Sequence, residues 1–266
     1  MNKIAFIGAG NMASALAAGI IKKAITAPNN IILFDKFTEQ YNKFDSACSK
    51  AESIVDAVNR ADYIILSVKP QNVKEVITDI KNTDYSNKVF ISICAGTPIS
   101  LIESVLPDAK VVRTMPNTPL LIGQGSTAIC KNENVSDDEF AYATSLFECS
   151  GNVYVMDEKD LCAITAVIGS SPAYFYLFAK SMLDASHNLG LNSTDLLEMI
   201  CKTMIGSANM ILSSGKTPDE LIQMVKSPKG TTERALDVFE KESFPAIIDK
   251  AMKECTERAI ELSKLD

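Results

Sequence analysis

Two short stretches of the sequence contain residues whose types and spacing could do chemistry. The first is GAGNMA at residues 8–13, where two glycines frame an alanine directly after an apolar run. Glycine lets backbone amides approach a phosphate, because it has no side chain in the way. The second is KSPKGTT at residues 226–232, which interrupts a half of the chain with consecutive helical patterns. A loop of this composition that opens a helix is suited to an anion such as a carboxylate.

The glycine stretch lies in a strand, turn, helix, strand pattern. KIAFI precedes it, ALAAGIIKKA follows with helical periodicity, and NIILFD is the next strand. In this context Gly8 permits the tight turn, Gly10 admits a pyrophosphate, and Ala13 lets the helix pack on the strand. Asp35 ends the second strand about 20 residues further on, where a carboxylate would hold a ribose hydroxyl. The pattern predicts a dinucleotide site; the alternative is an ordinary turn followed by an exposed Asp35.

Further strands are predicted at 61–68, 88–94 and 110–115, with two more near 126 and 152. Three of them end in unusual loops, VKPQ, AGTP and MPNTP. Because ligands of open α/β sheets collect at the carboxyl ends of the strands, these loops and GAGNM would surround one crevice. Ordinary turn chemistry is the alternative, since Pro98 also looks like a helix start.

Strand patterns stop near residue 157, and helices are predicted for most of the remainder. Ser193 is a predicted N-cap, and TPDE at 217–220 is a predicted capping box. The sequence thus indicates an α/β, Rossmann-like dinucleotide-binding domain over residues 1–157 and an all-α domain over 158–266. Several helical segments are apolar on more than one face, which favours burial against another subunit; a large monomeric core is the alternative.

The composition argues against several classes of protein and site. A net charge of −7 in 266 residues opposes nucleic acid and anionic lipid as partners. Seven cysteines without a CxxC pair predict reduced thiols in a cytoplasmic protein, and with His187 as the one histidine no metal site is expected. The N-terminus has the outline of a signal peptide, and residues 161–179 approach the length of a membrane span. The glycine turn and the Gly169–Pro172 break argue against these two readings, so no membrane is expected.

The order of the motifs resembles the pyrroline-5-carboxylate reductase family over essentially the whole chain. The motifs that carry the resemblance are GAGNMA, SVKPQ, CAG, VVRTMPNTP, GSSPAYFY and SPKGTT. MPNTP together with SP-x-GTT is far more particular than the glycine turn. Ser171 and Lys229 stand where the family usually has glycine. A lysine beside the substrate loop would alter the charge there.

The resemblance implies hydride transfer from NAD(P)H to the C=N carbon of 1-pyrroline-5-carboxylate, a small cyclic imine, giving L-proline. Such a reaction needs no nucleophile, metal or histidine. The resemblance also implies a homodimer through the helical domain, with room for a higher assembly of dimers, and a site that includes helices of the partner. Family members often use NADPH. Asp35 favours NADH here because it would repel a 2′-phosphate, although Lys36 could reach that phosphate.

The residues expected at the cofactor come from the glycine turn, the end of the second strand and the three loops. The strand end contributes Asp35 and Lys36. The resemblance implies that Asn117 lies close to the nicotinamide, and it places around the cofactor Ile7, Gly8, Ala9, Gly10, Asn11, Met12, Ser67, Val68, Lys69, Pro70, Cys94, Ala95 and Gly96. By resemblance the substrate residues are Val225, Ser227, Gly230, Thr231 and Thr232.

Among the substrate residues, the resemblance gives Thr232 the catalytic role, with its hydroxyl near the imine nitrogen. Gly230 and Thr231 would lie at the carboxylate, and Val225 would form an apolar wall. A plain helix cap without a ligand is the alternative for this loop.

Two other functions stay open on the sequence. Some hydroxyacid dehydrogenases carry a lysine after G-S-G; aligned on Gly169 and Ser170, that position is Phe175, and Lys180 is off register. A substrate screen of cyclic imines against hydroxyacids would separate the two enzymes. A nucleotide-sensing protein without turnover would bind the cofactor without imine-dependent oxidation of it. The intact SP-x-GTT argues against that reading.

Overall fold

The computed structural model describes residues 1–264, which form two compact units. The first unit holds residues 1–172 and the C-terminal segment from Glu254, and the second holds residues 173–253. The first unit extends past residue 157 because Glu158 Oε1 accepts from Arg113 Nη1 at 2.9 Å and from the Ile99 N–H at 2.7 Å. The division into compact units falls after Pro172. The predicted boundary at 157 concerns binding domains and stays a prediction.

The first unit is built on one sheet of eight strands in the order β3-β2-β1-β4-β5-β6-β7-β8. All neighbouring strands are parallel except β6 and β7. The crossover between β1 and β4 is the switch point at which nucleotides bind in doubly wound sheets. The strands are β1 (Ile4–Ile7), β2 (Ile31–Phe34), β3 (Ser49–Lys50), β4 (Tyr63–Leu66), β5 (Val89–Ser92), β6 (Lys110–Met115), β7 (Gly125–Lys131) and β8 (Gly151–Val155).

Helices cover both faces of this sheet, which explains its apolar strands. Ala5 and Ile7 of β1 belong to one core cluster and Ile4 and Phe6 to the other, because successive side chains of a strand point to opposite faces. The predicted Rossmann-like class is confirmed. The helices are α1 (Asn11–Lys22), α2 (Ile54–Arg60), α3 (Val73–Ile80), α4 (Ile99–Val105), α5 (Asp137–Glu148) and α6 (Leu161–Ile164), followed by a π-turn (Thr165–Gly169).

The second unit is helical, as predicted. The capping box is confirmed: the Glu220 N–H donates to Thr217 Oγ1 at 3.3 Å, and the Thr217 N–H donates to Glu220 Oε2 at 2.7 Å. The predicted N-cap at Ser193 is wrong, because its hydroxyl accepts from the Asp195 N–H two residues later and Asp195 is the cap. The helices are α7 (Ser171–Asn188), which begins in the first unit, α8 (Leu196–Ser213), α9 (Pro218–Val225), α10 (Thr231–Lys241) and α11 (Phe244–Leu262), which ends there.

Large apolar side chains are exposed along the helices of the second unit. Leu177 of α7 is 65% exposed, Ile205 of α8 is 57% exposed and Leu212 is 83% exposed. The helical stretch Glu158–Asn188 contains an 18-residue window with a mean hydropathy of 1.5, so it could cross a membrane by length and composition alone. Exposed apolar surface on this scale marks an interaction surface.

Candidate active site

The turn between β1 and α1 requires glycine at its first position. Gly8 has a φ of +99°, and a Cβ there would lie 2.6 Å from the carbonyl oxygen of Ser67. The Ser67 hydroxyl holds the same turn by donating to the carbonyl oxygens of Gly8 at 2.6 Å and Ile7 at 3.0 Å. The side chain of Ser67 therefore shapes the turn and is already bonded to it.

Gly10 shows open space in front of the turn. It is the N-cap residue of α1 with an extended backbone and no side-chain cap, and a Cβ there would meet nothing within 4 Å. The protein itself therefore gives no steric reason for glycine at this position. Free amides at the start of a 12-residue helix, facing open space, fit a pyrophosphate. Ala13 is 1% exposed, which agrees with its predicted close packing.

The Asp35 carboxylate lies against the glycine turn. Its Oδ2 accepts from the Ala9 N–H at 2.6 Å, and its Oδ1 accepts from the Phe37 N–H at 2.9 Å. The Tyr41 hydroxyl accepts from the Asp35 N–H at 3.0 Å. Each carboxylate oxygen keeps a second lone pair for a ribose hydroxyl. These residues, together with the open space at Gly10, fit the adenosine half of NAD(P)H.

Sequence reasoning missed two side chains near the glycine turn: Phe37, whose N–H bonds to Asp35, and Lys43, which bonds to Asn11. Phe37 is 63% exposed and suits stacking on a flat base. Lys43 Nζ donates to Asn11 Oδ1 at 2.7 Å and to Gln40 Oε1 at 2.6 Å. An exposed aromatic residue just after a strand end was a readable signal for Phe37. Lys43 had none, because a 3-10 helix over Thr38–Lys43 brings it to the turn.

The loop after β5 places its cysteine inward. Cys94 is 4% exposed, and its Sγ donates to the carbonyl oxygens of Leu66 and Val68, both at 3.2 Å. Burial raises the pKa of the Cys94 thiol to about 12. Gly96 has a φ of +69°, and a Cβ there would lie 2.7 Å from Cβ of Leu262 near the end of α11. The expected contact of this loop with a cofactor stays a prediction, and only backbone atoms of Cys94 could make it.

Asn117 of MPNTP is held on both sides of its amide. It is 8% exposed, its Oδ1 accepts from the Ser126 N–H at 2.9 Å, and its Nδ2 donates to the Ile168 carbonyl at 3.1 Å. Ile168 lies in the π-turn Thr165–Gly169, a form of helix that is often found at functional sites. Asn117 thus ties the MPNTP loop to the turn that precedes GSSP. Its expected nearness to the nicotinamide stays a prediction.

The SPKGTT loop is a tight turn that opens α10. The Gly230 N–H donates to the Ser227 carbonyl at 2.9 Å, and a Cβ on Gly230 would lie 2.9 Å from that same oxygen. Lys229 has a φ of +59°, a left-handed conformation that explains why glycine is usual at this position. The Lys229 N–H donates to Glu233 Oε2 at 2.7 Å. The loop therefore has a defined backbone, with Gly230 as the N-cap residue of α10.

The start of α10 has the donors that an anion needs. Gly230 provides no side-chain cap, and within residues 1–264 we find no hydrogen bond of the Thr232 hydroxyl. Thr231 is exposed and Thr232 half-buried. Val225, the last residue of α9, is 67% exposed, and Ser227 is exposed. Val225 and Ser227 thus lie just before this helix start, and Gly230, Thr231 and Thr232 form it.

A separate cavity of about 290 Å³ runs along α1 and contains none of the predicted site residues. Its lining is Ser14, Ala17, Ala18, Ile21, Lys22, Lys43, Phe44 and Asp45. Among residues 1–264 there is no group of three or more His, Cys, Asp or Glu that could hold a metal ion. The predicted cofactor residues lie in the first unit, and the predicted substrate residues lie in the second.

Family models match both halves of the chain. Residues 158–262 match the model described as pyrroline-5-carboxylate reductase dimerisation, and residues 3–96 match the model described as NADP oxidoreductase, coenzyme F420-dependent. The solved structure of Plasmodium falciparum pyrroline carboxylate reductase, with NADP bound, is similar at a TM-score of 0.92 and 32% identity. That likeness covers 99% of this chain and 98% of the other.

Curated relatives match the chain over nearly its full length. The pyrroline-5-carboxylate reductase of Pseudomonas aeruginosa is 38% identical over 266 residues, which is 98% of this chain and 97% of the relative. The Escherichia coli protein of the same name is 34% identical over 267 residues, 98% of each chain. These matches extend over both units, and so over the segments that hold the glycine turn and the SPKGTT loop. The chain belongs to the pyrroline-5-carboxylate reductase family.

Proposed function

We propose that the protein reduces 1-pyrroline-5-carboxylate to L-proline with NAD(P)H. Membership of the family over both units, with SP-x-GTT intact, carries the proposal. The two parts of the site supply the two binding functions that this reaction needs. A hydroxyacid dehydrogenase is not favoured, because the curated relatives are named pyrroline-5-carboxylate reductases.

The first unit binds the cofactor, which supplies the hydride when bound. Amides at the start of α1 bind the pyrophosphate beside Gly10, and the free lone pairs of Asp35 accept from ribose hydroxyls. Asn117 holds the loop at the nicotinamide end. The thiol of Cys94 points inward, so Cys94 offers the cofactor only backbone atoms.

The second unit binds the imine. Amides at the start of α10, from Gly230 and Thr231, bind the carboxylate, because the first turn of a helix carries partial positive charge. The Thr232 hydroxyl hydrogen-bonds at the imine nitrogen and stabilises the charge that changes there during reduction. Val225 and Ser227 border the ring. No histidine takes part in this scheme.

The coenzyme preference follows from Asp35. Two like charges about 4 Å apart at an effective dielectric of about 20 repel by roughly 4 kcal/mol, and solvent and salt reduce this considerably. A 2′-phosphate would meet that repulsion, whereas ribose hydroxyls donate to the same carboxylate. We therefore propose a higher kcat/KM with NADH than with NADPH.

The exposed apolar helices of the second unit form a homodimer in this proposal. A second copy, rather than lipid, covers the apolar part of Glu158–Asn188, because this stretch lies inside the family's dimerisation region. A higher assembly of dimers is compatible with this arrangement. The protein acts on a small molecule in the cytoplasm, where its seven cysteines stay free thiols.

The decisive assay follows loss of nicotinamide absorbance with 1-pyrroline-5-carboxylate and each reduced coenzyme. We expect imine-dependent oxidation of NADH and slower oxidation of NADPH, with L-proline as product. Parallel assays offer small hydroxyacids with the oxidised coenzymes. Turnover of hydroxyacids without imine reduction would replace the reductase by a dehydrogenase. Tight coenzyme binding without any turnover would leave a nucleotide-sensing protein.

A further inference from the structure

Glu75 is not among the predicted site residues, but its carboxylate contacts Lys36, the lysine that could reach a 2′-phosphate. Glu75 Oε1 accepts from Lys36 Nζ at 2.8 Å, and the two side chains are 59% and 60% exposed. The hydrogen bond and the charge of Glu75 raise the pKa of Lys36, and Asp79 adds to the effect. Glu75 lies in the first turn of α3, directly after the SVKPQ loop.

An exposed ion pair adds little to stability. The Lys36–Glu75 pair acts instead through the electrostatic potential that it presents to a bound phosphate. Asp35 precedes Lys36 in the chain, and Glu75 and Asp79 act on Lys36 from α3. Two carboxylates, those of Glu75 and Asp79, therefore act on the one ammonium group. Such a group offers a dianionic phosphate no net attraction, whereas a neutral ribose hydroxyl is indifferent to it.

We propose that Glu75 is a specificity-determining residue that disfavours a 2′-phosphate on the coenzyme by neutralising Lys36. The inference rests on the proposed function, because it concerns the adenosine end of the same cofactor. It adds a residue that neither the glycine turn nor the strand end identifies. The role of Glu75 depends on Lys36, so removing the lysine must remove the effect.

Lys43 is the rival determinant at this edge. Its ammonium group bonds only to the neutral oxygens of Asn11 and Gln40, and no ion pair of Lys43 is found within residues 1–264. A 2′-phosphate bound by Lys43 would be insensitive to Glu75. The experiment must therefore compare changes at both lysines.

The test is calorimetric binding of adenosine 2′,5′-bisphosphate and of 5′-AMP to the full-length protein, without any turnover. The ratio of the two Kd values isolates the 2′-phosphate. We expect Glu75→Gln to shift this ratio about fivefold toward the bisphosphate at low salt, with a smaller shift at high salt. The double variant Glu75→Gln with Lys36→Gln should bind the bisphosphate, relative to 5′-AMP, no more tightly than the wild type does.

Glu133→Gln is the matched control, because it removes the same charge at a distant place. Glu133 follows the end of β7, and since β7 is antiparallel to β6, that end lies with the amino ends of the parallel strands, away from the nucleotide. It should leave the ratio unchanged. An unchanged ratio in Glu75→Gln, or a shift that survives loss of Lys36, overturns the inference while nucleotide binding stands. A wild-type preference for the bisphosphate that only Lys43→Gln abolishes overturns it in favour of Lys43. If neither nucleotide binds, the nucleotide site of the proposed function fails as well.

Discussion

At the residue scale, the Thr232 hydroxyl is the group on which turnover of the imine should depend. It lies half-buried in the first turn of α10. We expect Thr232→Ala to lower kcat by at least about tenfold with little change in coenzyme affinity, because a hydrogen bond at the reacting nitrogen is lost while the nucleotide site is intact. Steady-state kinetics and coenzyme titration measure the two effects.

The matched control for this change is Thr232→Ser, which keeps the hydroxyl. It should retain most of the wild-type turnover. Unchanged kcat in the alanine variant would remove Thr232 from the mechanism. Equal losses in the alanine and serine variants would assign the effect to packing of the methyl group.

Asp35 provides a second test at this scale. Its carboxylate accepts from the amides of Ala9 and Phe37, so Asp35→Ser should weaken binding of both coenzymes. The kcat/KM ratio of NADPH to NADH should nevertheless rise by about tenfold or more, because the like charge facing a 2′-phosphate is gone. Asp45→Ser, in the same segment, is the control and should leave the ratio unchanged. A wild-type preference for NADPH that Asp35→Ser does not alter would show that this carboxylate does not face the ribose.

At the scale of an element, the turn into α10 carries strain that its sequence does not relieve. Lys229 adopts a φ of +59°, which costs a residue with a Cβ about 1 kcal/mol relative to glycine. We expect Lys229→Gly to raise the free energy of unfolding by roughly 0.5–1 kcal/mol. The gain is limited because glycine also has more conformational entropy in the unfolded chain, which partly offsets the relief of strain. Denaturant unfolding of the dimer measures the difference.

Asp108→Gly is the control for this turn, because Asp108 has a φ of +60° at a site remote in sequence from α10. It should stabilise the protein by a similar amount without altering the KM for the imine. A change of KM in Lys229→Gly alone would show that the lysine charge acts on the substrate. Destabilisation by Lys229→Gly would contradict the strain argument.

Local patterns predicted the elements well wherever one element decides its own form. The strand β6 has the predicted ends 110 and 115, and the capping box of α9 follows from Thr217 and Glu220 alone. The two-residue β3 was missed because it has no pattern of its own and depends on pairing with β2. The direction of β7 could not be predicted either, because an apolar strand has the same sequence pattern whether it pairs parallel or antiparallel to its neighbour.

At the scale of the whole molecule, the sequence located the parts of the site without their contacts. The glycine turn and SPKGTT could be picked out as candidates because Gly8 and Gly230 have local steric reasons to be glycine. The pairing of Lys36 with Glu75, 39 positions later, depends on where the fold places α3, which no local pattern encodes. The same limit hid the return of the C-terminal segment from Glu254 to the first unit.

The dimer is a property of the whole molecule, and its test needs the full chain. A fragment ending at residue 157 would lose Glu158, the partner of buried Arg113, and would leave that charge unpaired.

We instead expect Ile205→Glu, in the middle of exposed α8, to turn the dimer into a monomer at micromolar concentration. A carboxylate buried in an apolar interface without a partner costs more than one lost contact. Val55→Glu is the control, because Val55 is an exposed apolar residue on α2 of the first unit, and it should leave the dimer intact. Sedimentation velocity reads the assembly directly. A dimer that survives Ile205→Glu but dissociates in Val55→Glu would place the interface on the first unit.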